Sequence, residues 1–412
     1  MDITITPSKL SGTVKIPSSK SISHRMLICA ALADGKSDIS GISMSKDIEA
    51  TINCLAALGA DISAKDGIIT VNGIKTPSFS ATLDCCESGS TLRFLIPIAS
   101  ALGTTATFLG QGKLPERPIT PYVREMQKYG VKFDYNNTMP FTVSEKLCGG
   151  KYELEGDISS QFITGLLLAL PLCDGESEIS MLSPLQSKPY ADMTIDCMRK
   201  FGVSVTETPT GYIIPGNQRY LPCSSAVEGD YSQAAFFFTA NAIGSDIKIE
   251  NLAENSVQGD KKILEIIKNM CYNDKRNILS HFEVNAEDIP DLVPILAVLG
   301  SFGDKPSRIT GAKRLKIKES DRLIAISEAL NNIGGKVTAL DDGLIIEPVS
   351  EFTGGTADSF NDHRIVMSLA VASTRSSAPI TITNAHAVTK SYPDFFTEFN
   401  KLGGKSHVIN ME

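Results

Sequence analysis

Apolar and polar positions along this chain follow a helical period in some stretches and a two-residue period in others. The two take turns in an order that recurs about six times, at a spacing of roughly seventy residues. Each copy opens on a polar cluster and runs into an apolar helix. It then passes through a short alternating strand and ends with a second helix that stops near a glycine. The clusters begin at Ser18-Ser19-Lys20-Ser21, Glu87-Ser88-Gly89-Ser90, Asp157-Ile158-Ser159-Ser160-Gln161, Gly229-Asp230-Tyr231-Ser232, Ile289-Pro290-Asp291 and Asn361-Asp362-His363-Arg364. Five closing glycines are plain, at Gly59, Gly130, Gly202, Gly334 and Gly403, and the fourth copy closes around Asn269-Met270-Cys271. Similar frameworks put corresponding positions in corresponding places, so polar outliers recurring at one position are expected to face one shared site.

In the first copy, Thr13-Val14-Lys15-Ile16 alternates like a strand and Pro17 ends it. A serine at or beside Ser21 is expected to cap a helix through 26–32, followed by a strand over 37–42. A second helix from Ser45 to Leu58 buries Ile48, Ile52, Leu55 and Leu58, and 68–71 reads as a further strand. Leading helices are expected over 92–102, 162–172, 234–242, 292–299 and 365–372. Helices alternating with short strands in two three-copy halves predict an α/β protein of two similar domains. The change of half falls near 224–229, and the first strand is expected to join the C-terminal half. The domains are thus 18–226 and 1–17 plus 227–412, with hinges near Pro17 and Val227.

Composition narrows the class. A chain of 412 residues has room for two or three domains. Its longest apolar run, 162–172, is about half of what a membrane helix needs, and the first five residues lack the charge and apolar stretch of a secretory signal. Nine scattered cysteines without metal-ligand spacing fit a reducing cytoplasm, with neither a disulfide framework nor a structural metal. A net charge of -8 speaks against a general nucleic-acid binder. Yet Lys20, Arg25, Arg93, Arg117, Lys188, Arg314, Lys316, Lys318, Arg322, Arg364 and Lys390 gather at corresponding places in the repeats. That joint pattern points to a local pocket for a small polyanion, against the alternative of ordinary solvated surface.

Lys20, Ser21 and Arg25 lie within about a turn of a helix start, where unpaired N–H groups, hydroxyls and cations suit a phosphate or carboxylate, or simply cap a surface helix. The turn at Ser88-Gly89-Ser90, with Arg93 after it, repeats the idea, and Arg117 before Pro118 suits the first turn of a helix. Ser159-Ser160-Gln161 and Ser187-Lys188-Pro189-Tyr190 offer neutral donors and acceptors. Lys318-Glu319-Ser320-Asp321-Arg322 mixes both signs of charge, so Glu319 and Asp291 are candidate proton carriers among cations.

These segments, with Asn361-Asp362-His363-Arg364 and Lys390-Ser391-Tyr392-Pro393-Asp394, resemble the 3-phosphoshikimate 1-carboxyvinyltransferases, the EPSP synthase family, over nearly the whole chain. The resemblance implies two domains, each of three βαβαββ-type units, with ligands in the cleft between them. It implies a transferase of the shikimate pathway without metal or redox cofactor, and the chain is expected to be a cytoplasmic monomer. The enolpyruvyl group of phosphoenolpyruvate would pass to the 5-hydroxyl of shikimate 3-phosphate. Carried over by motif, Lys20, Ser21, Arg25, Ser159, Ser160, Gln161, Ser187, Tyr190, Asp291 and Lys318 would contact shikimate 3-phosphate. Lys20, Gly89, Arg117, Gln161, Arg322, Arg364 and Lys390 would hold phosphoenolpyruvate, with Asp291 as proton acceptor, Glu319 as proton donor and Lys20 also catalytic.

Two positions depart from the family pattern. Glu87 stands where asparagine is usual, and it would repel an anion unless it turned away or paired with an arginine; Arg314 stands at the place of an acceptor-contacting asparagine. The UDP-N-acetylglucosamine enolpyruvyl transferases share the fold and donor but typically carry a reactive cysteine before an Arg-Pro pair. The segment Gln111 to Pro118 has none, and Lys20 is followed by serine rather than asparagine. A noncatalytic anion-binding relative is the other alternative; it is disfavoured because Lys20, Asp291 and Glu319 are all present.

Overall fold

The second repeat lays out the building unit. Strand Ser80–Asp84 leads into helix Gly89–Ala101, strand Thr105–Leu109, helix Thr120–Gln127 and the strands Lys132–Asp134 and Phe141–Ser144, a βαβαββ order. The first two strands pair in parallel, which the intervening helix makes possible as a crossover. Thr105–Leu109 then pairs antiparallel with Phe141–Ser144, and that strand with Lys132–Asp134. Alternation decides the inward face: Ala106 and Phe108 are fully buried while the residues between them are not. The computed structural model describes residues 1–271 and 279–410.

Among the described residues the same order, parallel pair then two antiparallel neighbours, recurs in four other sheets. The third and fifth repeats build theirs from their own strands, through Lys151–Leu154 with Ser177–Met181 and Glu283–Asn285 with Ser307–Thr310. The first and sixth borrow. Ser225–Ala226 lies parallel to Lys36–Ser40, and Asp2–Thr6 fills the antiparallel place between Ile380–Thr383 and Lys405–Asn410. The fourth sheet pairs Ser11–Lys15 in parallel with Asp246–Glu250. The stretch at Thr13-Val14-Lys15-Ile16, read at the head of the first copy, therefore completes the sheet of the fourth repeat, within the segment 1–17 expected to join the C-terminal half. The alternation of a strand is local, but its hydrogen-bonding partner is chosen by the whole chain, and Val14 is buried in the core of the later repeats.

The chain divides into two units, Met1–Pro17 with Gly229–Glu412, and Ser18–Glu228. Each has its own buried core, one gathered around Phe236, Leu296, Ile326 and Leu369, the other around Leu27, Leu95, Leu166 and Met198. At the two chain passages, the Asp230 N–H donates to the Pro17 carbonyl in one unit, and the Ser19 N–H to the Glu228 carbonyl in the other.

Leading helices are buried around most of their circumference. Ile22 through Ala31 are all buried in Lys20–Leu32, as is every residue of Val293–Gly300. Such helices must pack on every side. In the unit of repeats four to six, Tyr231–Ala242, Val293–Gly300 and His363–Ala372 all pack on one another. The second helices lie outside them and close on Gly59, Gly130, Gly202, Gly334 and Gly403, all at φ between 78° and 114°. That is the left-handed region where a Cβ is costly and glycine is not. The fourth repeat's second helix is Ile263–Cys271, and any closing residue beyond it lies outside the described residues.

Candidate functional site

In the unit of repeats one to three, the polar clusters sit at helix starts. Ser19 caps Lys20–Leu32 by accepting from the Ile22 N–H at 3.5 Å, two residues before the sequence candidate Ser21. Lys20, the first residue of that helix, pairs with Asp47 at 2.8 Å and stays partly exposed. Arg25, one turn on, is only 2% exposed. Its Nε donates to Thr194 at 2.8 Å, Nη1 to the Ser21 carbonyl at 2.7 Å, and Nη2 to Thr164 at 3.3 Å and the Tyr190 carbonyl at 2.9 Å. Four of the five N–H groups of its guanidinium are thus engaged. Burial pushes its pKa down to about 10, which leaves it a cation at neutral pH. Arg25 ties the Ser21 turn to the Tyr190 turn and keeps its charge beneath both.

A second focus forms at Gly89. Ser88 caps Gly89–Ala101 by accepting from the Thr91 N–H at 3.2 Å. A Cβ built on Gly89 would lie 2.7 Å from Nη1 of Arg117, and 3.6 Å from Arg93 Nη1 and Gln161 Oε1. Absence of a side chain is what lets these groups converge. Arg93 donates to Gln161 Oε1 at 2.6 Å, and Gln161 Nε2 donates to Ser90 at 3.0 Å. Ser159 caps the helix of Ser160 and Gln161, accepting from the Gln161 N–H at 3.3 Å. Ser187 stands just before helix Lys188–Lys200 at φ 57°. Lys188 itself pairs with Asp192 at 2.7 Å and Glu207 at 3.2 Å. One expectation needs correction: Pro118 is not in a first helical turn. The helix there is Thr120–Gln127, its early proline is Pro121, and Arg117 closes the short 3-10 turn Leu114–Glu116. A proline suits either place, so Pro118 alone was not decisive. Glu87 packs its carboxyl against the turn at Gly112, where an added Cβ would meet its Oε2 at 2.8 Å.

The other unit holds a cluster of ions. Arg322, 1% exposed, is its centre. Its Nη1 meets Asp291 Oδ1 at 2.9 Å, Nη2 meets Glu319 Oε2 at 2.7 Å, and Nε meets Asp362 Oδ2 at 2.8 Å. Arg364 grips Asp291 twice, through Oδ2 at 2.9 Å and the main-chain carbonyl at 3.1 Å. Burial by itself would lower the pKa of Arg322, but Asp362, Glu319 and Asp291 together raise it well above the ordinary arginine value. Asp291 lies on the 3-10 turn Pro290–Leu292 that feeds helix Val293–Gly300, and Arg364 in the first turn of His363–Ala372. Mutual packing of those helices carries the two residues together. Lys390 reaches the Asn361 carbonyl at 2.9 Å, next to Asp362. Lys318 is pushed down to about 8 by burial; Arg322 and Arg314 also lower it, against the pull of Asp291 and Glu319. Arg314 donates to the Glu287 carbonyl at 2.7 Å.

Three organising residues stand outside the binding and catalytic sets expected from the sequence. Asp362 is fully buried, caps His363–Ala372 and accepts from both Arg322 and Ser320. Asp47 holds Lys20. Arg93 was visible in the basic clusters, but only the convergence at Gly89 gives it a partner. Chemically, the first unit offers hydroxyls and cations suited to phosphate and hydroxyl groups. The other offers two partly exposed carboxylates held by arginines, a set able to bind anions and move protons.

The sequence model of the family EPSP synthase (3-phosphoshikimate 1-carboxyvinyltransferase) matches residues 5–399. A 3-phosphoshikimate 1-carboxyvinyltransferase of Clostridium novyi is 43% identical, covering 98% of each chain. One from Clostridioides difficile is 42% identical over 99% of this chain and 98% of the relative. The solved EPSP synthase of Acinetobacter baumannii superposes with a TM-score of 0.84 at 27% identity, over 99% of this chain and 100% of that one.

Proposed function

Since this chain belongs to the EPSP synthase family, the 3-phosphoshikimate 1-carboxyvinyltransferases, we propose how its two units divide the labour of that family's reaction. The chain transfers the enolpyruvyl group of phosphoenolpyruvate to the 5-hydroxyl of shikimate 3-phosphate and releases phosphate, a step of the shikimate pathway towards chorismate and the aromatic amino acids. In our reading the compact units Ser18–Glu228 and Met1–Pro17 with Gly229–Glu412 are its two functional domains, and both act on one substrate pair.

Lys20, Ser21, Ser159, Ser160, Gln161, Ser187, Tyr190 and Lys318 hold shikimate 3-phosphate, with the charge of Arg25 beneath them. Lys20, Gly89, Arg117, Gln161, Arg322, Arg364 and Lys390 hold phosphoenolpyruvate. Asp291 takes the proton of the 5-hydroxyl, whose oxygen bonds to the enol carbon as the methylene carbon receives a proton from Glu319. The product is a tetrahedral adduct; loss of phosphate and of a methyl proton restores the enol ether. Cations gather two anions and orient them, and the carboxylates move the protons.

The observation that carries this reading is the Arg322 cluster, where one guanidinium holds Asp291 and Glu319 together. It also suggests how Glu319 becomes an acid. An anionic donor drawing on Arg322 takes cationic support from Glu319 and raises its proton affinity, the ordinary effect of losing an opposite charge. We further propose that the enzyme works as a cytoplasmic monomer. Eight cysteines of the described residues are free thiols, which fits a reducing compartment; sedimentation of the purified chain tests the monomer.

The decisive experiment mixes the enzyme with phosphoenolpyruvate and shikimate 3-phosphate and measures released phosphate. Phosphate is expected with that acceptor and none when UDP-N-acetylglucosamine replaces it; the reverse preference overturns the assignment. For the roles, Asp291→Asn is expected to keep acceptor binding by calorimetry while turnover falls roughly 10²–10⁴-fold. Unchanged turnover would remove Asp291 as the base.

A further inference from the structure

The fourth repeat supplies none of the groups assigned above, yet its polar turn is built with the same care as the others. Asp230 caps helix Tyr231–Ala242 by accepting from the Ser232 and Gln233 N–H groups. Gln258 braces the turn, accepting from the Tyr231 N–H at 3.0 Å and donating to the Gly229 carbonyl at 2.8 Å. Two residues on lies Asp260, 4% exposed, in the 3-10 turn Gly259–Lys262. Its Oδ2 accepts a hydrogen bond from Ser232 Oγ, while its buried Oδ1 has no hydrogen-bond partner among the described residues. A buried carboxylate oxygen left unpaired is costly unless the carboxyl has another use.

Its surroundings suggest that use. Helix Tyr231–Ala242 packs against the turn Gly259–Lys262, against the turn that carries Asp291, and against the helix that begins with His363 and Arg364. The charged groups that act most strongly on Asp260 are Asp291 on the second of those turns, Arg364 at the start of that helix, and Asp230 at the cap of helix Tyr231–Ala242. We propose that Asp260 is a positioning residue for proton transfer: it draws on the positive charge of Arg364 and so sets how firmly Arg364 holds Asp291 as an anion. The inference rests on the reading of Asp291 as proton acceptor.

Burial, and then the negative charge of Asp291, push the Asp260 carboxyl up to about 7, while Arg364 and the Ser232 hydroxyl pull it down. Below that pH Asp260 is neutral, and Asp291 no longer shares the charge of Arg364 with it, which makes Asp291 a weaker base. Above it, Asp260 carries charge, shares Arg364 and raises the proton affinity of Asp291. Turnover should therefore climb through an ionisation near pH 7 that belongs to a residue outside the substrate contacts.

The test is the pH profile of kcat from pH 5.5 to 9 for the full chain and two variants. Asp260→Asn keeps the size and the acceptor for Ser232 but not the charge. It is expected to lose the inflection near 7, with kcat down about tenfold at pH 8 and within about threefold of the parent at pH 5.5. Ser232→Ala removes a hydrogen bond that favours the charged form, so its inflection is expected to move to higher pH. An Asp260→Asn profile with the parent inflection overturns the proposal. So does an equal loss at all pH values, the mark of a merely structural residue, or an unmoved inflection in Ser232→Ala. Asp291→Asn, run alongside, separates the two levels. If it turns over normally, the reading of Asp291 fails; if it is inactive while the Asp260→Asn profile is unchanged, only this inference fails.

Discussion

At the scale of single residues, Lys318 offers a direct pH experiment. Its ammonium is pushed down to about 8 by burial, so it loses its proton on the alkaline side of neutrality. If it helps hold shikimate 3-phosphate, the KM for that substrate should rise above about pH 8, and Lys318→Arg, which stays charged, should carry the rise to higher pH. Initial rates between pH 6.5 and 9.5 check this; an alkaline limb that stays in place in the arginine variant excludes Lys318 from the binding set. Linkage runs the same way. Because the folded value lies below the ordinary lysine value of 10.5, burying this charge costs stability at neutral pH. That cost is relieved as pH rises from about 8 past the unfolded value. Candidate residues were legible one by one from their types and spacing: Asp291, Glu319, Arg322 and Arg364 fall in one ionic cluster. Arg25 could be read only as an anion ligand. That most of its donors face Thr194, Thr164 and backbone carbonyls became visible only once residues up to 169 positions away were packed around it.

Elements obey a narrower grammar, and two glycines separate its rules. Gly130 closes a helix at φ 91° with nothing among the described residues within 4 Å of a built Cβ, so Gly130→Ala isolates the backbone cost. Gly343 opens the strand beside Ser307–Thr310, where a built Cβ would fall 1.9 Å from the Ile309 carbonyl oxygen. Urea unfolding is expected to give about 1 kcal/mol for Gly130→Ala and about 3 kcal/mol for Gly343→Ala, with unchanged m values. Equal losses would mean that the close approach at Gly343 relaxes at no cost. Helix positions and closing glycines were readable because caps, 3.6-residue periodicity and left-handed stops are local. The strand at Ser11–Lys15 was readable as a strand but misassigned to its repeat, since pairing with Asp246–Glu250 spans more than half the chain.

For the whole molecule, substrate binding makes a thermodynamic prediction. In the slow variant Asp291→Asn, each substrate that binds the folded state should raise the melting temperature. At a hundredfold excess over Kd the gain is about 2.7 kcal/mol. Calorimetric melts with shikimate 3-phosphate, and then with phosphoenolpyruvate added, are expected to show a second upward step; no step from the second ligand would remove it from the folded complex. What the sequence determined by itself was the sixfold repeat, the α/β class, the family and the types of residue at each helix start, because these are written in short-range periodicity and motif. Tertiary structure alone decided which distant strands complete the first, fourth and sixth sheets, and that Asp362 organises Arg322. It alone also packed the turn of Asp260, the turn of Asp291 and the helix of Arg364 against one helix, Tyr231–Ala242. Those depend on which helices pack together, and packing brings side chains from remote segments into contact with no trace in local pattern.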